Sequence, residues 1–304
     1  MIRATRLALV ALAGAALAGC AGAPTGDDRP DIVVTTNILG DVVSNLAGSR
    51  ADVTVLMRPN ADPHSFEISA QEAAAMSDAD LLVSNGLGLE EGLQQHLDRA
   101  AAEGVTTFVA GDHVEVLAYA SEEAGGADDP HFWTDPAQML AVVDALEAEL
   151  AALDGLDPER LEADVAAYRA DLVALDEEMS AAFAEVPAER RQLVTNHHVF
   201  GYLAERFGFE IVGAVIPGGT TLAAPSASDL RGLTDAIRAA GVRTIFAESS
   251  QPDRLMQVLA EEAGIDVQVT ELFTESLTAA GGGADTYLSM MRTNSARITE
   301  GLSR

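Results

Sequence analysis

The chain has 304 residues and a formal net charge of −30, which comes from 48 acidic and 18 basic residues. Such a polyanion is a poor partner for nucleic acid or anionic lipid, although it concentrates cations around any acidic cleft. The single cysteine excludes an intrachain disulfide. The roughly 270 residues after the N-terminal segment are more than one ordinary hydrophobic core accommodates, which favours two lobes.

The N-terminal segment has the pattern of an export signal. Arg3 and Arg6 precede an apolar run that is too short to span a bilayer, and small residues then precede Cys20. This ending resembles the lipobox of bacterial lipoproteins, which implies acylation of Cys20. We expect a lipoprotein signal peptide over residues 1–19, a flexible tether over residues 20–31, and a protein that is exported and either lipid-anchored to the outer face of the cytoplasmic membrane or periplasmic. A cleaved signal with a chance cysteine is the alternative.

Short β-branched runs then alternate with helical stretches in both halves of the chain. This alternation is typical of parallel sheets covered by helices. The predicted fold is α/β, with two lobes of mostly parallel sheets, the N-terminal lobe over residues 32–156 and the C-terminal lobe over residues 188–304. Buried strands are predicted at residues 32–35, 53–56, 81–83, 106–109, 193–195, 211–215, 244–246 and 267–269, and helices at residues 39–47, 69–77, 89–101, 200–207, 228–240 and 253–263.

One long helix is predicted to link the lobes, over residues 157–187. Asp157 and Pro158 form a typical helix start, and no further proline occurs before Pro187. At 1.5 Å per residue, about 28 residues would span roughly 40 Å, enough to reach from one lobe to the other. A local coiled-coil arm is the alternative. The apolar stripe that predicts the helix recurs every three or four residues and consists of Leu161, Val165, Tyr168, Leu172, Leu175, Met179 and Phe183.

Three of the six histidines lie in polar segments that follow predicted strands, where open α/β sheets place their ligands. His64 and His131 each follow an Asp-Pro pair, and His197 stands beside His198 at the end of a predicted strand. Imidazole suits zinc-like cations, and three histidines with one carboxylate can close a tetrahedral shell that joins both lobes. Spacing alone leaves open that each histidine is a structural residue.

These segments resemble the metal-binding solute receptors of ABC importers for zinc and manganese, known as cluster A-I or cluster 9. The resemblance implies two βα lobes bridged by one long helix, a metal ion as ligand, a membrane permease as partner and no catalytic residues. We also expect a monomer. The resemblance covers nearly all of the mature chain and rests on residues 60–67, 129–136, 197–202, 245–249, 272–277 and 285–294.

Carried over position by position, the family's four metal ligands fall on His64, His131, His197 and Glu275. His197 is preferred to His198 because the family pattern places phenylalanine three residues after its ligand, as Phe200 stands here.

The fourth ligand is more commonly aspartate in the family, so the extra methylene of Glu275 leaves open whether one or two oxygens bind. Asp285, Glu271 and Glu248 are the alternatives, and Glu248 is expected instead to orient or line the site.

The expected metal is zinc, and manganese is the alternative. The segment over residues 121–129 is short and acidic and lacks the histidine-rich loop of many zinc receptors, with only His113 nearby. Three imidazoles nevertheless favour zinc, because manganese sites hold more oxygen. A closed shell leaves no position for an activated water, so catalysis is not expected. The long helix restricts hinge closure, so we expect metal release by small lobe shifts or by movement of a ligand loop.

Other functions make different demands on the sequence. A metal-dependent hydrolase needs a general base, for which Glu67 and Glu248 are the candidates. A siderophore or cobalamin receptor needs an aromatic or basic cleft, and this chain has one tryptophan and no lysine. An adhesin role is compatible with metal binding. Glycine-rich residues 218–221 and 281–283 are expected to be plain turns rather than lids.

Overall fold

The computed structural model describes residues 29–119, 125–216, 218–250, 253–263 and 267–303. The predicted signal peptide, Cys20 and most of the predicted tether lie outside the described residues. Across these described ranges, none of the helices has both the length and the apolar composition needed to cross a membrane.

The N-terminal half is a parallel sheet with helices on both faces. Its strands and helices are β1 (Asp31–Val34), α1 (Asn37–Ala47), β2 (Asp52–Val55), α2 (Ala70–Asp78), β3 (Leu81–Ser84), α3 (Gln94–Glu103), β4 (Thr107–Val109) and α4 (Pro136–Ala151). The strand order is β2-β1-β3-β4. Ile32 and Leu81 pair in register and share a core with α1 and α4, whereas Val33 and Leu82 face the other core, with α2 and α3. Burial on both faces explains the continuous apolar runs of β1 and β3.

A single helix, α5 (Pro158–Ala184), follows the N-terminal half. The Asp157 side chain caps it by accepting hydrogen bonds from the backbone N–H groups of Glu159 and Arg160, at 3.1 and 3.4 Å. Its seven buried residues are the predicted stripe. They belong to one hydrophobic core with residues of both halves, so α5 is part of a core that the two halves share.

The C-terminal half contains two parallel strand pairs, β5 with β6 and β7 with β8. Its elements are β5 (Gln192–Thr195), α6 (Gly201–Phe207), β6 (Glu210–Ala214), α7 (Ala227–Ala240), β7 (Thr244–Glu248), α8 (Arg254–Ala263), β8 (Gln268–Leu272) and α9 (Tyr287–Leu302). The ends of β5 and β7 are joined where the Asn196 side chain accepts a hydrogen bond from the Glu248 backbone N–H at 3.0 Å. The predicted α/β fold, with mostly parallel sheets and one long helix, is confirmed, while the exact lobe boundaries stay a prediction.

Some predicted elements need correction. The strand predicted at residues 53–56 is only partly buried. Leu56 is buried, but β2 lies at the edge of the described sheet, paired with β1, and Val55 is 37% exposed. The helix predicted from residue 89 begins only at Gln94, because Gly86, Leu87 and Gly88 all have positive φ and start a series of turns. Helices α4 and α9 are absent from the prediction.

Candidate metal centre

His64 lies in the irregular loop between β2 and α2. The Asp62 carboxylate accepts hydrogen bonds from the His64 backbone N–H, at 2.9 Å, and from the Ser65 hydroxyl, at 3.1 Å. Asn60, with a φ of 61°, donates its backbone N–H to the Leu277 carbonyl at 3.0 Å. The loop that carries His64 is therefore shaped by Asp62 and joined to the C-terminal half.

His131 lies just before a short 3₁₀ turn, Phe132–Thr134, that leads into α4. Asp129 Oδ1 lies 2.7 Å from His131 Nδ1 and accepts the His131 backbone N–H at 2.9 Å. The Tyr202 hydroxyl donates to the Asp129 carbonyl at 3.0 Å, and a Cβ on Gly201 would collide with the Asp129 carboxylate. These contacts fix Asp129, which in turn fixes the imidazole with Nε2 free for a ligand.

His197 lies two residues after the end of β5. Glu248, the last residue of β7, brings Oε1 to 2.7 Å from His197 Nδ1 and accepts the His197 backbone N–H at 3.0 Å. The Thr195 hydroxyl donates to the His197 carbonyl at 2.6 Å. His197 and His131 are thus oriented in the same way, each by a buried carboxylate on Nδ1.

Glu275 lies in the segment after β8, and the N-terminal half helps to position this segment. Trp133 donates its indole N–H to the Thr274 carbonyl at 2.8 Å. The Asn37 side chain accepts the Leu277 backbone N–H at 2.9 Å and donates to the Ser276 hydroxyl at 2.8 Å. A carboxylate of one half is therefore held in place by side chains of the other.

These four side chains converge on one point. Glu275 Oε1 lies 3.0 Å from Nε2 of His64, 3.4 Å from Nε2 of His131 and 3.2 Å from Nε2 of His197. The Nε2 atom of His131 is 3.4 Å from that of His64 and 3.3 Å from that of His197. Four ligands at zinc-like distances of about 2.0–2.1 Å in a tetrahedron are separated by about 3.3 Å. These five distances match five of the six edges of a tetrahedral shell around one ion.

The charges of the cluster compensate one another despite burial. Burial opposes ionisation of Glu275, but the charge of His197 and the close approach of the three histidines outweigh it and hold the pKa of Glu275 well below 4.5. Burial also disfavours the charged imidazoles. Asp129 nevertheless raises the pKa of His131 above 6.5, and the charges of Glu248 and Glu275 raise that of His197 well above it. A divalent cation can replace these protons as the counter-charge of the carboxylates.

The other candidate residues lie outside this cluster. Among the described residues, the group that could hold a metal consists of His64, His131, His197 and Glu275, without His198. Glu271 is exposed and lies 3.6 Å from Arg297, and Asp285 accepts the Gly281 backbone N–H at 3.0 Å. Glu67 is exposed. Glu248 orients His197, which is the role expected for it.

Sequence reasoning assigned no role to Asp129. The available signal was its place in an Asp-Pro-His tripeptide, which also occurs at Asp62-Pro63-His64. The two tripeptides act differently, however: Asp129 contacts both the backbone and the ring of its histidine, whereas Asp62 accepts the His64 backbone N–H. The tripeptide alone does not distinguish these roles.

Residues 218–221 do more than the plain turn that was expected. The Thr221 hydroxyl donates to Asp62 Oδ2 at 2.6 Å, and the Tyr119 hydroxyl donates to the Gly219 carbonyl at 2.5 Å. The Tyr119 ring also lies 6.0 Å from the ring of His131, between centroids. This segment of the C-terminal half therefore contacts the N-terminal half beside the histidines. Residues 281–283 form a turn, with positive φ at Gly281 and Gly283.

The chain is similar to known proteins over most of its length. The family described as zinc-uptake complex component A, periplasmic (ZnuA), matches residues 32–301. The manganese ABC transporter substrate-binding lipoprotein PsaA of Streptococcus pneumoniae is 30% identical over 92% of this chain and 91% of its own. The manganese-binding lipoprotein MntA of Halalkalibacterium halodurans is 30% identical over 94% of each chain. The solved periplasmic zinc-binding protein TroA of Treponema pallidum superposes with a TM-score of 0.84 at 30% identity, covering 91% of this chain and 100% of TroA.

Proposed function

We propose, from the premise that this chain belongs to the family of the periplasmic zinc-uptake complex component A (ZnuA), that it binds zinc outside the cytoplasm and delivers it to the permease of an ABC importer. Members of this family are substrate-binding receptors of metal transporters, so the chain is a receptor and not an enzyme. The metal ion is its cargo.

The proposed ligands are His64, His131, His197 and Glu275. The observation that carries this assignment is the convergence of three imidazole nitrogens and one carboxylate oxygen, all within 4.8 Å of one another. The carboxylate oxygen lies 3.0–3.4 Å from each of the three nitrogens, and Nε2 of His131 lies 3.3–3.4 Å from Nε2 of the other two histidines. All four residues are buried, with at most 2% of their surface exposed. Buried polar atoms without hydrogen-bond partners are rare, and Glu275 Oε1 is such an atom. A metal ion would satisfy it.

Zinc is the proposed ion because of the donor set. Three imidazoles and one carboxylate form the borderline, four-coordinate shell that suits zinc, whereas manganese favours more oxygen ligands. Glu275 Oε1 faces the histidines, while Oε2 lies 3.5 Å from the Ser250 hydroxyl, which supports binding through one oxygen. Manganese is the second candidate, because PsaA and MntA are named for it.

Two of the proposed ligands are already oriented before the ion binds. Asp129 and Glu248 hold the Nδ1 atoms of two histidines, so that Nε2 of each faces the ion without a search among ring orientations. Binding requires neutral imidazoles and an ionised carboxylate, so the ion displaces protons from the site. Four protein donors complete a tetrahedral shell and leave no position for a nucleophilic water. A hydrolase mechanism therefore has no support in this geometry.

The proposed location follows from the N-terminal sequence and the relatives. Cys20 would carry the lipid that anchors the receptor to the outer face of the cytoplasmic membrane, as the names of the lipoprotein relatives PsaA and MntA suggest. The receptor would act there as a monomer beside its permease.

The test is metal content and affinity, with a matched pair of variants. We expect the purified protein to hold one zinc per chain by elemental analysis and to prefer zinc to manganese in competitive titration. His197→Ala should lose at least about 100-fold in affinity, because it removes a ligand. His198→Ala, one residue away and outside the cluster, should change it by less than about threefold.

Each other outcome has a definite meaning. If the protein retains manganese more tightly than zinc, the cargo is manganese and not zinc. Equal losses in the two variants, or no stoichiometric metal in the unmodified protein, would refute the ligand assignment.

A further inference from the structure

The three histidines differ in what holds their second ring nitrogen. His131 Nδ1 lies 2.7 Å from Asp129, and His197 Nδ1 lies 2.7 Å from Glu248. His64 Nδ1 is also buried, yet it makes no hydrogen bond with the described residues. A histidine that binds a metal through Nε2 carries its proton on Nδ1, and this proton normally has an acceptor. One acceptor is therefore missing.

The carboxylate of Glu91 is placed to supply it. Glu91 Oε1 lies 3.9 Å from His64 Nδ1, about 1 Å beyond a hydrogen bond. The Glu91 side chain is 45% exposed, whereas those of Asp129 and Glu248 are 2% and 1% exposed. Because it is exposed, this side chain is freer to rotate toward His64 Nδ1 than the two buried carboxylates are to move.

The local fold keeps Glu91 at this position. Positive φ angles of 78°, 54° and 80° at Gly86, Leu87 and Gly88 turn the chain sharply after β3. The neighbouring Glu90 points inward, where it accepts hydrogen bonds from the Thr35 hydroxyl at 2.6 Å and from the Asn85 backbone N–H at 2.7 Å.

The loop of Glu91 also packs closely against the loop of His64. A Cβ on Gly92 would lie 2.9 Å from the Phe66 carbonyl oxygen, so only glycine allows this approach of the two backbones. Glu91 therefore stays beside His64 whenever the two loops are packed.

We propose that Glu91 is a positioning residue for metal binding: its carboxylate accepts the Nδ1 proton of His64 when the ion is bound and leaves it when the ion is released. This inference rests on the proposed function of the four-residue site. Because Glu91 is exposed and its counterparts are buried, the contact at His64 breaks most easily, and His64 is the first ligand to leave the ion.

The experiment measures zinc release to excess chelator from the full-length protein, together with zinc affinity by competition. Glu91→Ala removes the acceptor, and we expect about tenfold faster release, at the lower end of the 10- to 100-fold range for partners of metal-binding histidines. Glu91→Gln keeps an oxygen that can accept a weaker hydrogen bond, so its release rate should lie between the two. The matched control is Glu67→Gln, which removes the same charge from the loop of His64.

A second readout separates positioning from general loosening. In the His64→Ala background, Glu91→Ala should cause no further loss of zinc affinity, because the contact is already absent. The Nδ1 proton of His64 in the zinc-loaded protein should also give a hydrogen-bonded nitrogen-15 NMR signal that Glu91→Ala shifts.

Three results would overturn the inference: release rates within twofold of the unmodified protein, an equal effect of Glu67→Gln, or additive losses in the His64→Ala background. Failure of the proposed function is distinguishable, since the unmodified protein would then hold no zinc, whether it held manganese or no metal.

Discussion

The two halves of the molecule meet in different ways on the two sides of the metal centre. Along α5 they share an apolar core, in which every member of a seven-residue stripe is buried. Beside the histidines they meet through single polar contacts, such as Thr221 with Asp62 and Tyr119 with Gly219. Apolar burial contributes most of the stability, whereas one hydrogen bond adds about 1 kcal/mol. The contact between the halves along α5 therefore stabilises the fold, whereas the contact beside the histidines can rearrange at a small cost in free energy.

The largest expected effect is on the side of α5. Phe183 is buried against the rings of Phe207 and Phe209, with centroid distances of 5.1 and 4.9 Å. Phe183→Ala should lower the free energy of unfolding by about 3–5 kcal/mol, measured by urea denaturation of the metal-free protein. The control is Val173→Ala on the same helix, where Val173 is 48% exposed; it should change stability by less than about 0.5 kcal/mol. If the two halves of Phe183→Ala unfolded in separate transitions, the conclusion that the core along α5 joins them into one folding unit would be wrong.

The next effect is the pH dependence of the centre. The pKa values of His131 and His197 are raised in the metal-free protein, so zinc must displace their protons. Zinc affinity should therefore rise with pH, by about tenfold per unit for each proton displaced, until pH exceeds the raised values. Calorimetric titration in buffers of different ionisation enthalpy measures the protons released. An affinity independent of pH would contradict the proton-balanced site.

The stability of the metal-free protein should follow a different course. The contribution of the two histidines is complete below their unfolded pKa of 6.5 and is lost as pH rises through their raised folded values. The contribution of Glu275, whose folded pKa is lowered, is present above 4.5 and is lost as pH falls through the lowered value. Raising pH above neutrality should thus weaken the metal-free protein while it strengthens zinc binding, which melting curves with and without zinc can compare.

The smallest effect is expected from the contact of Thr221 with Asp62. Thr221→Ala removes this hydrogen bond and should weaken the contact between the two halves by about 0.5–1.5 kcal/mol. We expect to observe this loss as severalfold faster zinc release. Ser65→Ala is a matched control, because the Ser65 hydroxyl donates to the same oxygen, Asp62 Oδ2, from within the loop of His64. If both variants release zinc equally fast, the contact between the halves has no special part in holding the ion.

Much of the fold was predictable because its signals are local. The stripe of α5 recurs every three or four residues from Leu161 to Phe183, and Asp157 with Pro158 fixes where the helix begins. Helix α4 was predictable too: Met139, Val142, Val143, Leu146 and Leu150 form a helical face, but the segment was interpreted only as a motif. Helix α9 is harder to recognise, because its buried face includes Asn294, Ser295 and Gly301.

The candidate site was predictable only in part. The positions of the three histidines after predicted strands pointed to them, and the family resemblance preferred His197 to His198 and added Glu275; the structure brings all four together. Most contacts around them depend on long-range packing that no local pattern encodes. Asp129 is two residues from its histidine, but Glu248 is 51 residues from His197, and Glu91 is 27 residues from His64. Glu248 and Glu91 come near their histidines only because strand ends and loops that are distant in sequence meet in space.

The burial of the four proposed ligands also determines the rate law of metal exchange. With exposures of 2% for His64, 0% for His131 and His197, and 1% for Glu275, no chelator can touch a bound ion before the protein opens. Removal of the ion is then limited by a unimolecular opening step, and its rate stops increasing once chelator captures every opened molecule. The ion is protected from competing ligands by the frequency of a protein motion rather than by affinity alone.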